Sequence, residues 1–109
     1  MALSKPEREV LERFRSILRD VLPEERPELT LFGSKARGDD QLDSDLDVLV
    51  RVKSDDWRVC DKVYAVATQL LLDTGVCVSP KVISRTQFDR MRQEGVSFAD
   101  NIIRDAVAV

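Results

Sequence analysis

Two short stretches hold the residues whose types and spacing could do chemistry. The first is Gly33-Ser34-Lys35-Ala36-Arg37-Gly38, directly after the apolar run Leu29 to Phe32. A strand that ends in Gly-Ser and turns into a helix brings free backbone N–H groups and a positive helix end together, which makes an anion site. Gly33 allows the backbone to approach a phosphate closely, the Ser34 hydroxyl can donate to a phosphate oxygen, and Lys35 or Arg37 can add charge. Taken alone, the same Gly-Ser pair also describes a plain tight turn. The second stretch holds Asp45 and Asp47, two apart in an alternating apolar segment. On a strand both side chains share one face, with Cα atoms about 6.5–7 Å apart, so both carboxylates can reach one ion or an adjacent pair. Asp is uncommon in strands, and neighbouring carboxylates repel unless a cation or solvent intervenes. Mg²⁺ suits them, because it accepts a few carboxylates and completes its shell with water and phosphate oxygens. The alternative for these two acids is a solvated sheet face. Together the stretches supply what nucleoside triphosphate chemistry needs: fixed phosphate donors and a held metal ion.

In this order the residues resemble a known signature. G-S-K-A-R-G followed by S-D-L-D-V is similar to the motif of the DNA polymerase β-like nucleotidyltransferase superfamily. The length, the V-S-P-x-V-I-S segment and the Phe/Ile-rich closing helix resemble the minimal nucleotidyltransferases, the MNT-type antitoxins. The resemblance implies a nucleotidyltransferase fold with a small mixed sheet. It implies that Gly33 and Ser34 hold the β- and γ-phosphates of ATP or another nucleoside triphosphate, and that Asp45 and Asp47 bind catalytic Mg²⁺ or Mn²⁺. The reaction implied moves a nucleoside monophosphate onto a hydroxyl and releases pyrophosphate. Arg37 and Gly38 match the motif, and Arg37 either contacts phosphate or supports the loop. Lys35 occupies a variable position and reads as a solvated lysine.

One departure bears on activity. Active relatives carry a third carboxylate on the third strand, and here Ser79 stands about where it is expected, followed by Pro80 and Lys81. Ser79 is a poor base without a partner, Lys81 reads as a surface lysine, and Asp73 belongs to the preceding helix. The resemblance therefore implies two functions. One is protein adenylylation, with ATP as donor and a hydroxyl, often a tyrosine, on a HEPN-type ribonuclease toxin as acceptor. The alternative is a weak or inactive nucleotidyltransferase-fold antitoxin that neutralises a HEPN-type partner by contact. Transfer to a small molecule such as an aminoglycoside needs extra structure, and polymerase-like activity needs a basic template-binding domain.

The elements that must position these residues are legible from periodicity. Ser4 is a plausible N-cap for a helix to about Leu22, with Pro6 and Glu7 in its first turn and Val10, Phe14, Ile17 and Val21 on one face. Leu29 to Phe32 reads as a buried strand, Ser34 to Arg37 as a short helix stopped by Gly38, and Asp39 to Ser44 as a polar turn. Leu46, Val48, Val50 and Val52 alternate as a second strand. Ser54 or Asp55 is expected to cap a helix to Thr74 with Gly75 as C-cap, and its stripe is Val59, Val63, Val66 and Leu70. Val76 to Ile83 reads as a third strand, in which Pro80 marks an edge, a bulge or the end. Thr86 to about Glu94 is a helix, and Ser97 can cap a last one to about Asp105, docked by Phe98, Ile102 and Ile103. The order is α-β-α-β-α-β-α, an α/β or α+β arrangement of a small sheet covered by helices.

Composition bounds the alternatives. With 109 residues, one domain spanning 1–109 is expected, so the rest of any binding site must come from substrate, another subunit or a partner. At 43% hydrophobic and 34% charged, the chain has a globular composition. A net charge of -3 gives no general attraction for nucleic acid. The chain lacks histidine, which excludes Ser-His and Cys-His nucleophile pairs and any Cys/His zinc site. Cys60 and Cys77 lie in apolar segments and are expected to be buried free thiols. With no signal-type or membrane-length apolar run, a cytoplasmic location is expected, and a homo-oligomer is compatible with the sequence.

Overall fold

The computed structural model describes residues 3–38 and 45–109. The polar turn expected over 39–44, including Ser44 of the motif, lies outside the described residues. The chain opens with helix α1, Lys5–Val21. Ser4 caps it as expected, and Glu7 closes a capping box: the Glu7 N–H donates to Ser4 Oγ at 3.2 Å and the Ser4 N–H donates to Glu7 Oε1 at 2.8 Å. The buried face is Val10, Leu11, Phe14 and Leu18. Val21, expected on this face, is instead exposed, because Leu11, Leu18 and Leu22 turn the stripe toward themselves. A 3₁₀ turn, Pro23–Glu25, follows the helix.

Strand β1 is Glu28–Phe32, followed without a break by the short helix α2, Gly33–Arg37, which ends at Gly38 with φ 80°. Strand β2, Leu46–Val52, pairs antiparallel with β1, and Phe32 stands opposite Asp47. Helix α3, Trp57–Thr74, is capped by Asp56, whose side chain accepts from the Arg58 N–H. The cap is neither Ser54 nor Asp55: the Ser54 N–H and hydroxyl both donate to Glu25 Oε1, at 2.9 and 3.0 Å. Gly75 ends α3 in the left-handed region, as expected.

Strand β3, Val78–Ser84, pairs parallel with β2 and forms one edge of the sheet, the place where Pro80 is tolerated. Helix α4, Arg85–Gln93, is capped by the Ser84 side chain, and helix α5 is Ser97–Asp105. Ser97 is the first residue of α5 and does not cap it; Val96 occupies the cap position. A two-residue strand, β4 (Val107–Ala108), then pairs antiparallel with β1 and completes the order β3-β2-β1-β4. This strand had no sequence signal, since two residues are too short for any period to show.

Period-two alternation divides the sheet into two faces. Leu31, Val48 and Val50 point to the side of α1 and α3 and join Phe14, Leu18, Val63 and Leu70 in the larger core. Leu49 points the other way and packs with Phe88 of α4 and with Ala99 and Ile102 of α5. Of the residues expected to dock α5, Ile102 is buried together with Ala99; Phe98 meets Phe32 edge to face at 6.5 Å, although it and Ile103 remain about two-fifths exposed. The result is a mixed sheet between two helical layers. No helix among the described residues is long and apolar enough to cross a membrane.

Candidate active site

The register decides which residues meet. Leu46 and Val48 are fully buried in the larger core, so the alternation directs Asp47 to the opposite face, beside its cross-strand neighbour Phe32. Gly33, the first residue of α2, then meets Asp47 in space. Gly33 has φ +77°, a conformation that side chains rarely adopt, and a Cβ placed there would lie 2.5 Å from Asp47 Oδ2. The glycine is thus required twice: by its backbone conformation and by the carboxylate pressed against it. The loop and the strand acid, nearly fifteen positions apart in sequence, form one surface. Phe32, at the cap position of α2, offers no side-chain hydrogen bond to its first turn.

Among the described residues, two ion pairs hold α2 in place. Lys35 is buried, with Nζ 2.8 Å from Glu7 Oε2. This overturns the expectation of a solvated lysine. Glu7 uses one carboxylate oxygen for the α1 capping box and the other for Lys35, so the start of α1 and the loop helix are tied through one side chain. Burial pushes the Glu7 carboxyl up, but the Lys35 and Ser4 hydrogen bonds outweigh it and hold its pKa below the usual value. On the other side, Arg37 Nη1 donates to Asp105 Oδ2 of α5 at 2.9 Å. Neither partner carried a sequence signal, because both lie far away along the chain.

Asp47 is half-buried, and Asp45, just before β2, is exposed. Burial raises the Asp47 pKa; the charge of Asp45 adds to the rise, while Lys81 and Arg37 offset part of it. Ser79 stands directly opposite Asp47 on β3, and Lys81 opposite Leu49, so both lie on the Asp47 face. Cys77 also belongs to this neighbourhood. Its carbonyl accepts from the Leu46 N–H at 3.0 Å, which places Cys77 beside the start of β2. Burial, then the negative charges of Asp45 and Asp47, raise the thiol pKa. Cys60 and Cys77 are free, as expected, but only half-buried. Cys77 was missed as a site neighbour because only strand pairing brings it to Asp45. Asp73 lies elsewhere: it accepts from Gln69 Nε2 at 2.9 Å and approaches Arg13 of α1, in the helical layer on the other side of the sheet.

Among the described residues, no group of three or more His, Cys, Asp or Glu side chains is arranged to hold a metal ion. The pair Asp45 and Asp47 nevertheless fits a hard dication that draws its remaining ligands from water and substrate phosphates. A small α+β sheet with a Gly-Ser loop against a strand aspartate defines the nucleotidyl-transferring class of protein. The family model for the nucleotidyltransferase domain matches residues 9–100, and the chain belongs to that family. It is 30% identical over 79 residues, 72% of this chain and 80% of the relative, to the putative protein adenylyltransferase MJ0141 of Methanocaldococcus jannaschii. No solved structure gives a significant match. Nucleotidyl transfer, with a nucleotide as substrate, is the function this membership supports.

Proposed function

We propose that the chain is a minimal protein adenylyltransferase, a single domain over 1–109, that moves AMP from ATP to a hydroxyl on a partner protein. The observation that supports this reading is the closeness of Gly33, the start of the motif loop, to the Asp47 carboxylate. Gly33 and Ser34 hold the β- and γ-phosphates, Asp45 and Asp47 hold Mg²⁺ or Mn²⁺, and Arg37 supports the loop through Asp105. The bound dication would neutralise charge on the phosphates. The acceptor oxygen forms a bond to the α-phosphorus, the α–β bridging bond breaks, pyrophosphate leaves, and the hydroxyl proton passes to water. The M. jannaschii relative, described as a putative protein adenylyltransferase, supports a protein acceptor. The motif resemblance supports a HEPN-type toxin as that acceptor and an antitoxin role, in the cytoplasm.

Calorimetric titration with ATP, with and without Mg²⁺, tests the donor site. Binding that depends on Mg²⁺ is expected; no binding at millimolar ATP overturns it. Incubation of the co-expressed partner with labelled ATP then tests transfer. A second reading, neutralisation by contact alone, is favoured by Ser79 opposite Asp47, where a third acid would sit. It predicts a partner affinity that survives Asp45→Asn with Asp47→Asn.

A further inference from the structure

We propose that Lys81 is the second cation of this site: its ammonium binds a phosphate oxygen of the nucleoside triphosphate beside a single divalent ion held by Asp45 and Asp47. This rests on the donor-site reading above and adds to it the source of the remaining positive charge.

The argument starts from the strand register. Asp47 pairs with Ser79 and Leu49 with Lys81, so the alternation sets Lys81 on the Asp47 face, one step along the edge strand. Strands about 4.8 Å apart and a two-residue rise of about 6.6 Å separate the two Cα atoms by roughly 8 Å. The flexible four-carbon stem of lysine spans most of that distance. Lys81 is exposed, and it makes no hydrogen bond or ion pair with another described residue. The two cationic residues of α2 are committed elsewhere: Lys35 is buried on Glu7, and Arg37 is bonded to Asp105.

The charge balance needs such a group. One dication between two carboxylates leaves the triphosphate with excess negative charge, and phosphoryl chemistry depends on offsetting it. The neighbours of the aspartates at and just before the start of β3 are Ser79 and Cys77, which are neutral. No third carboxylate from the described residues joins them to hold another ion. A mobile ammonium at the open sheet edge can follow the phosphate chain, and it suits a point contact to phosphate.

The test uses the full chain and a non-hydrolysable ATP analogue. Calorimetry in Mg²⁺ is expected to show that Lys81→Met loses about tenfold in affinity, the scale of one charged hydrogen bond, while Lys81→Arg keeps most of it. Electron paramagnetic resonance of Mn²⁺ with saturating analogue is expected to count a single bound ion. Circular dichroism confirms that the exposed substitution leaves the fold intact, and Lys81→Gln gives a second neutral variant. Unchanged affinity in both neutral variants, or two tightly bound Mn²⁺ ions, overturns the assignment. If the wild-type chain binds no analogue, the donor-site reading fails and Lys81 falls with it; if the wild type binds and the neutral variants bind equally, only Lys81 falls.

Discussion

Gly33 and Asp47 are the pair on which the site turns. A methyl at position 33 meets Asp47 Oδ2 at 2.5 Å and forces a strained φ. Gly33→Ala is therefore expected to cost about 1–3 kcal/mol of stability and to abolish ATP binding, as read by urea denaturation and calorimetry. Asp47 behaves differently. Its folded pKa is raised, by burial first, so the ionised form is the costly one in the metal-free chain. The resulting contribution to stability is full in acid and is lost as pH rises through the folded value. Asp47→Asn should therefore leave the metal-free chain at least as stable at neutral pH, while metal-dependent nucleotide binding disappears. A lower denaturation midpoint together with intact binding would contradict both halves of that account.

At the level of elements, α2 is too short to hold its own position. Its five residues rely on Lys35 to Glu7 and Arg37 to Asp105. Glu7→Gln removes the Glu7 charge from beside the buried Lys35 ammonium, and a loss of about 3 kcal/mol is expected. Adding Lys35→Met should recover part of it, which a double-mutant cycle in urea would measure. The pH dependence has the opposite sign to that of Asp47. The folded pKa of Glu7 lies below 4.5, so its contribution is complete above that value and fades as pH falls through the folded pKa. The stability gap between wild type and Glu7→Gln should shrink in acid; a constant gap would sink the ion-pair account. Asp105→Ala removes a more exposed pair and should cost under about 1 kcal/mol, with a larger effect on ATP affinity than on the melting temperature.

Across the whole molecule, the sheet separates two cores of unequal size. The larger, around Phe14 and Leu18, carries the fold, while the smaller, around Leu49, Phe88 and Ile102, supports the face that bears Asp47. Phe88→Ala should cost about 3–5 kcal/mol, as should Phe14→Ala. When both are compared below their unfolding transitions, the Phe88 variant should show the larger loss of ATP affinity. Equal affinities would mean that the small core does not set the geometry of the site. The elements themselves were largely legible: the α1 cap at Ser4, the stop of α2 at Gly38 and the alternation of β2 are local signals that tertiary contacts reinforced. The cap of α3 was misplaced by one or two residues, because Ser54, Asp55 and Asp56 all satisfy the same rule and packing chooses among them, and α5 starts one residue earlier than a Ser97 cap allows, with Val96 at the cap position.

The amino-acid sequence by itself determined the motif, the order of the main elements and the alternation that turns Asp47 away from Leu46 and Val48, since each follows from periods of a few residues; Asp45, expected on the same strand, falls just before β2. It also carried enough of the signature to point to the nucleotidyltransferase family. Only the tertiary structure decided the rest. The pairing of β2 with β3 brought Cys77, Ser79 and Lys81 to the aspartates, and the packing of α1 and α5 around α2 turned Lys35 into a buried strut and gave Arg37 its partner. Those contacts join residues up to 68 positions apart. Local patterning cannot encode such distances; they follow from which faces must be buried together.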